Sequence, residues 1–495
     1  MRSRLLFAGF GVLATLVGVA TGHLVAALTE PASSPVLAVG SQVIDLTPTP
    51  LKEWAIRTFG SHDKDVLVGS VTAGVLVLAA IAGLLARRRF ELGAALLLVL
   101  VLIPAVVAEQ VLPSVAAGAV GVAVLWWLTR AAPTPAPGGS GPSRRAVLVA
   151  AGTAAAAGAL AGGAGRLITS YRTRETTVSL PAPADPAPPF PARPLDARVP
   201  GVTPLRTPTG DFYRVDTRLT LPIVDVDDWT LTIDGDVSRS VTFTFDDLLD
   251  MPLVERDITM TCVSNEVGGT YVGGARWLGV PLTDLLDRAG IAETSADQIL
   301  STDVDGMTIS TPLDVATDGR DAMIAVGMNG SSLPRAHGFP ARMVVPGLYG
   351  FVSACKWITR MTLTTYAEQD AYWTRRDWAT DAPIKIASRV DTPKPLSTVE
   401  PGRTVIGGIA WAQHQGGVAG VEVRVDGGDW QRARLGPSVG TDYWRQWYLP
   451  WTAEPGQHAL ACRAIAGSGD VQAAERATPF PDGSSGIQEI VVTVA

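Results

Sequence analysis

Every segment of this chain that is long and apolar enough to cross a bilayer falls before about residue 165. Four apolar runs occupy roughly residues 5–28, 66–86, 91–108 and 114–129, and about 20 residues suffice to span the hydrocarbon layer as a helix. A spanning segment has no water to satisfy its backbone, so such runs must be helical. A fifth run, Ala146 to about Ala164, is rich in Ala and Gly and only moderately apolar. The chain is therefore expected to open with a helical transmembrane bundle: four spans within residues 1–130, then a cytoplasmic linker and a fifth span within residues 131–175. These runs raise the hydrophobic content to 47% while charged residues supply only 18%, too apolar for a wholly soluble protein.

Arginine placement sets the orientation. Arg2 with Arg4, Arg87 to Arg89, and Arg130 with Arg144 and Arg145 fall on one side if every run crosses, and that side is the cytoplasm. The fifth span then delivers everything after about Leu167 to the outer face, giving a multi-pass cell-membrane protein with an extracytoplasmic domain. Ser143-Arg144-Arg145-Ala146-Val147-Leu148 looks like a twin-arginine export signal placed internally, a route that carries folded proteins. The alternative is that the two arginines only anchor a span. An uncleaved anchor is expected.

Residues 176–201 are dominated by Pro and Ala (PAPADPAPPFPARP), which sustain neither helix nor sheet and read as an extended spacer that stands the outer domain off the membrane. Beyond it, Trp229 to Ile233 alternates apolar and polar residues before an Asp234-Gly235 turn, and Thr244-Phe245-Asp246-Asp247-Leu248-Leu249 reads as a capped helix start. Mixed short strands and helices predict an α+β domain over residues 202–379. Within residues 380–495, Val405 to Ala410, Gly420 to Val425, Trp444 to Leu449 and His458 to Ala464 alternate as the strands of an immunoglobulin-like β-sandwich do.

Three cysteines make no disulfide framework; Cys355 and Cys462 either pair or remain buried thiols. A net charge of −7 without a basic stripe argues against nucleic acid. The near absence of ionisable residues in the spans argues against a transporter core.

The chemistry concentrates in two stretches, ITMTCVSNEVGG around Cys262 and LPRAHGFPARMVVPGLYGFVSACK from Leu333 to Lys356. Taken alone, Cys262 is a core thiol or a soft metal ligand. His337 has no second His or Cys at zinc spacing. Arg342 offers a planar fork suited to phosphate, and Lys356 either adds a point charge or is a surface cation.

Cys262 to Asn265 forms C-x-x-N, Arg335 to Gly347 forms R-x-H-G-x-P-x-R-x-x-x-P-G, and Lys356-Trp357 follows. In these three motifs, in this order, the chain resembles the sulfite oxidase family of molybdopterin oxidoreductases, with the likeness covering about residues 205–495. The resemblance implies a sulfite-oxidase-type molybdopterin domain, a C-terminal dimerisation sandwich and a molybdenum-molybdopterin cofactor. It implies Cys262 as the metal ligand and His337 and Arg342 on the cofactor phosphate or pterin, with Lys356 beside them. It also implies Tyr213 against the pterin and Arg214 as an oxyanion-binding group, although a register shifted by one would put Val215 or Asp216 there. Asn265 either bonds the cofactor or sets the turn before Gly268. Asp303 is either a further cofactor contact or part of the turn at Asp305-Gly306.

The departures bear on substrate. The family's substrate-site Tyr after an R-R-D-like stretch is replaced here, since Arg375-Arg376-Asp377 leads into Trp378; Asp377 and Trp378 are the catalytic candidates at that place. An indole N–H donates but cannot relay a proton. The R-N-H segment that helps bind sulfite is not reproduced at Asp216-Thr217-Arg218. The resulting expectation is oxygen-atom transfer on a small sulfur-oxo substrate, as sulfite-like oxidation or sulfoxide-like reduction. With no C-x-x-C-H and only His23 in a span, electrons are expected to pass to a separate haem protein or quinone-linked partner. The alternative is a catalytically altered cofactor- or ligand-binding protein with the same fold.

Overall fold

The computed structural model describes residues 2–48, 51, 54, 58–59, 63–108, 110–132 and 144–495; Ser143 and nearly all of the linker after Arg130 lie outside them. The chain forms two compact units, one of residues 1–174 with 216–223, the other of residues 175–215 with 224–495.

The first unit contains α1 (Arg2–Leu28), α2 (Pro35–Leu46), α3 (Asp63–Ala86), α4 (Phe90–Val107), α5 (Leu112–Arg130) and α6 (Arg144–Arg172). All except α2 are long and apolar enough to cross a membrane. Helix α1 is the hub and packs against α3, α5 and α6. Glycines let the backbones meet: a Cβ on Gly11 would collide with the Ala79 carbonyl, and one on Gly18 would sit 2.5 Å from that of Ala117. Small residues drive helix association where lipid removes the hydrophobic incentive. The segment 216–223 clusters with this unit, with the Lys64 ammonium 3.1 Å from the Asp216 carboxylate.

In the second unit, β1 (Thr230–Gly235) pairs with β2 (Val241–Thr244), and α7 (Phe245–Leu249) starts on a capping box between Thr244 and Asp247. Strand β1 thus runs through the Asp234-Gly235 pair expected to form the turn. There follow β3 (Val254–Thr261), β4 (Val272–Pro281), α8 (Leu282–Ala289), β5 (Gln298–Asp303), β6 (Thr308–Pro312), α9 (Leu313–Ala316), β7 (Met323–Met328), β8 (Ser331–Ser332), β9 (Arg342–Val344), α10 (Gly350–Ser353) and β10 (Ile358–Thr364). Helix α8 buries Leu282, Leu285, Leu286 and Ala289 as one stripe and stops at Gly290 in the left-handed region. One sheet has the order β2-β1-β10-β5-β6; the other has the order β3-β4-β7-β8, with β9 also paired to β7.

The C-terminal part contributes β11 (Ala387–Thr392), β12 (Thr398–Val399), β13 (Gly402–Trp411), β14 (Val418–Val425), β15 (Gln431–Arg432), β16 (Arg434–Leu435), β17 (Arg445–Ala453), β18 (Gly456–Ala466) and β19 (Gln488–Val494). They form two sheets, β11-β13-β17-β16 and β12-β19-β18-β14-β15, around a shared core that includes Val390, Ile406, Trp447, Leu460 and Val492. All three cysteines are buried, and none is in a disulfide among the described residues.

One expectation is corrected. Residues 176–201 do avoid regular structure, but they are not a free spacer. The Val178 N–H donates to Ser332, Ala184 N–H to the Leu253 carbonyl, and Ala187 N–H to Glu255. Phe190 packs edge-on to Tyr443 and under the Arg276 guanidinium. Leu195 is 1% exposed, and its N–H donates to Gln446. Proline forbids a ladder but leaves carbonyls and neighbouring N–H groups able to bond the surface beneath. The segment is a strap tied along the unit.

Candidate functional site

The site is assembled from three places in the sequence. The first is the end of β3, where Cys262 follows Thr261 and turns into the loop reaching Gly269. The Cys262 N–H donates to the Tyr271 carbonyl, and the Asn265 N–H returns to the Cys262 carbonyl at 3.0 Å. The Asn265 side-chain oxygen accepts the Tyr271 N–H at 2.8 Å, so its visible role is to shape this loop. Burial pushes the Cys262 thiol up, opposed by hydrogen bonds from Ser264 and by the charge of Lys356.

The second place is the turn from Arg335 to His337, closed by Gly338 at φ 110°. Gly338 is required both for that φ and for space, since a Cβ would lie 3.2 Å from the Lys356 Cα. It lets the turn fold onto β9 and the Arg342–Lys356 bridge. His337 bonds the Thr209 carbonyl through Nε2 at 3.1 Å; a carbonyl only accepts, so Nε2 carries the proton. Burial and the Arg342, Lys356 and Arg214 charges hold the imidazole down at about 4, so it is neutral at physiological pH.

Arg342 is 5% exposed. Its guanidinium donates to the carbonyls of His337 at 3.1 Å and of Ala354 and Met343 at 3.5 Å, and lies 5.2 Å from the Trp277 ring centre. Among the described residues no carboxylate pairs with it, and burial pulls its pKa down to about 10. A buried cation compensated only by carbonyl dipoles and a ring face is costly unless an anion joins it. Lys356, half-buried over the Trp357 ring, adds a second cation beside Cys262.

The third place is Phe212-Tyr213-Arg214. Phe212 stands edge-on to both His337 and Trp277 and stacks on Tyr213. Burial and the nearby Cys262 raise the Tyr213 phenol, while Arg342 opposes them. Arg214 is exposed and contributes to the field at His337. Tyr213, Cys262, His337, Arg342 and Lys356 therefore form one electropositive cluster.

The other candidates stand differently. The Asp303 carboxylate accepts the N–H groups of Asp305 and Met307, capping the turn at Gly306; its strand meets β10 at Ile358, just past Lys356-Trp357. Asp377 is exposed and caps a short turn at φ 63°. Trp378 is buried among Phe351, Trp373 and Phe480, and its indole N–H is sealed from solvent without an acceptor. Among the described residues neither makes a hydrogen bond or ring contact to the cluster; Asp377 caps a turn and Trp378 packs in an aromatic group. Sequence reasoning singled out neither Trp277, on whose face Arg342 rests, nor Tyr349, whose buried phenol is raised by burial and by the field of Asp482 and Cys262. Trp277 carries no local signal; Tyr349 lies within the motif-bearing stretch from Leu333 to Lys356.

Among the described residues no three His, Cys, Asp or Glu side chains converge as metal ligands. A ligand group that brings its own donors to a metal would fit beside Cys262, and the buried Arg342 guanidinium, bonded only to carbonyls among the described residues, suits an anionic one. Comparisons with known proteins point to the same class of cofactor. Residues 218–373 match the oxidoreductase molybdopterin binding domain. Mitochondrial sulfite oxidase from Homo sapiens is 33% identical over 301 residues, covering 51% of this chain and 55% of that protein. A nitrate reductase [NADH] from Nicotiana tabacum is 28% identical over 285 residues, 46% of this chain and 31% of that one. The chain thus spans about half the length, or less, of these curated relatives. In fold, it is similar to the sulfane dehydrogenase SoxCD from Paracoccus pantotrophus, with a TM-score of 0.51 at 24% identity over 59% of this chain and 84% of that one. Motifs, geometry and relatives converge: residues 218–373 form a molybdopterin-binding oxidoreductase domain, and the chain is a molybdopterin-dependent oxidoreductase similar to sulfite oxidases, with molybdenum-molybdopterin as its cofactor.

Proposed function

We propose that this chain is a membrane-anchored, extracytoplasmic enzyme that transfers an oxygen atom to or from a small sulfur-oxo substrate. The observation that carries the reading is the buried Arg342 guanidinium, with no carboxylate partner among the described residues and set in one cluster with Cys262. When bound, the cofactor supplies a redox metal able to exchange an oxygen atom in two-electron steps. The protein's share is placement. Cys262 holds the metal, Arg342 and Lys356 neutralise the cofactor's anionic groups, and neutral His337 donates from Nε2 only to Thr209, which leaves Nδ1 as an acceptor. Tyr213 and Phe212 wall the pterin side, and Asn265 and Asp303 shape the two loops that flank it. Exposed Arg214 is the group best disposed to draw in an oxyanion.

The five long apolar helices support anchoring, with export through the internal Arg144-Arg145 signal and an uncleaved anchor. Residues 202–379 act as the cofactor domain and residues 380–495 as an immunoglobulin-like sandwich that supports a homodimer. Electrons leave to a separate haem protein or quinone-linked partner. Sulfite oxidation with an artificial electron acceptor and sulfoxide reduction with an artificial donor, each run on molybdenum-replete full-length protein, test the proposal. Turnover in one direction that is lost in Cys262→Ser supports it; turnover in neither direction refutes it.

A further inference from the structure

The segment carrying Cys262 is held from both sides by the C-terminal sheets. Before the cysteine, the Thr259 N–H donates to the Asp442 carbonyl at 2.9 Å, its hydroxyl accepts the Trp444 N–H at 2.9 Å, and its carbonyl accepts the Gln413 amide at 3.0 Å. After the cysteine the grip passes to side chains. Ser484, in the connection from β18 to β19, donates its hydroxyl to the Asn265 carbonyl at 2.6 Å. Arg389 on β11, 9% exposed, donates Nη1 to the Gly269 carbonyl at 2.7 Å, Nη2 to Thr203 at 2.8 Å and Nε to Asp391 at 2.7 Å. Gln488 fills the space over Gly268, and its oxygen accepts the Val390 N–H.

We propose that Arg389 and Ser484 are positioning residues that fix the loop from Cys262 to Gly269, so that the C-terminal sheets set the direction of the thiolate offered to the cofactor. A loop that carries a lone ligand gains no rigidity from the metal until it binds. Preorganisation must come from groups that hold its backbone. Ser484 and Arg389 meet only carbonyl oxygens of that loop, which fixes its path without touching the thiol. This rests on Cys262 being the metal ligand.

The test uses the full-length chain made without cofactor, with iodoacetamide alkylation followed thiol by thiol by peptide mass spectrometry. Cys355 and Cys462, 1% and 0% exposed, report on general loosening. Ser484→Ala is expected to speed alkylation of Cys262 about fivefold, the equivalent of one hydrogen bond of about 1 kcal/mol, with Cys355 and Cys462 unchanged. Ser484→Thr is expected to restore the slow rate, and Arg389→Lys, which keeps the charge beside Asp391, to act like Ser484→Ala. An unchanged Cys262 rate in both Ser484→Ala and Arg389→Lys, or all three thiols rising together, overturns the proposal. Normal molybdenum content in Cys262→Ser would instead remove the ligand reading on which it rests, and leave the alkylation result standing.

Discussion

Arg342 reaches back five residues to donate to the carbonyl of His337 at 3.1 Å, so the residue that bears the buried charge also closes the turn that presents the imidazole. Charge and shape are thus set by one contact, and the two can be separated experimentally.

Arg342→Met keeps length and apolar contact with Trp277 while removing the charge. In cofactor-free protein the melting temperature is expected to hold or rise, because replacing an uncompensated buried charge by a hydrophobe is neutral or stabilising. In protein from a cofactor-competent host, molybdenum content is expected to fall at least tenfold, consistent with about 1.5–3 kcal/mol for hydrogen bonds to a charged group. Melting curves beside elemental analysis check both.

His337 gives a pH dependence with a definite sign. Its folded pKa, about 4, lies below the ordinary 6.5, so between these values the unfolded chain binds a proton that the native one does not. Stability therefore falls as pH drops from about 6.5 towards 4, by at most about 3 kcal/mol. Thermal unfolding of cofactor-free protein across that window should show the slope, and His337→Gln should flatten it.

The strap predicts where a soluble fragment must begin. A fragment starting at Val202 loses buried Leu195 and Val199 and the bonds of Val178, Ala184 and Ala187. Burial of one such Leu alone contributes about 1.5–3 kcal/mol. A fragment starting at Glu175 is expected to melt several degrees higher and stay monodisperse where the shorter one aggregates; scanning calorimetry and size-exclusion chromatography compare them.

Trp378→Phe tests whether the sealed indole matters to chemistry. Removing its unpartnered N–H recovers about 1–3 kcal/mol of desolvation cost, offset by the smaller ring's cavity. Stability is expected to change by less than about 1 kcal/mol, and kcat/KM by less than about threefold. A loss of a hundredfold or more would return Trp378 to the substrate site.

The clustering of side chains around Cys262 was legible because most of them lie in short motifs whose spacing is local. Arg342 follows His337 by one turn and a strand, so sequence distance and contact coincide. The long apolar helices were legible because a run of about 20 apolar residues has one backbone solution that satisfies its own hydrogen bonds. The strap was not. Pro and Ala content denies a ladder, yet nothing in it says that Asp185 will bridge to Val254 or that Phe190 will meet Tyr443. The packing of Trp378 was not legible for a similar reason. Its surroundings come from Phe351 and Phe480, distant in sequence on both sides, and only the fold brings them together.

The most direct measurement is molybdenum per chain, by elemental mass spectrometry, on full-length protein from a cofactor-competent host beside Cys262→Ser. Near one metal per wild-type chain is expected, with its loss in the variant and with melting unchanged when both are cofactor-free. A well-folded wild-type chain without metal, or Cys262→Ser retaining it in full, would contradict the account.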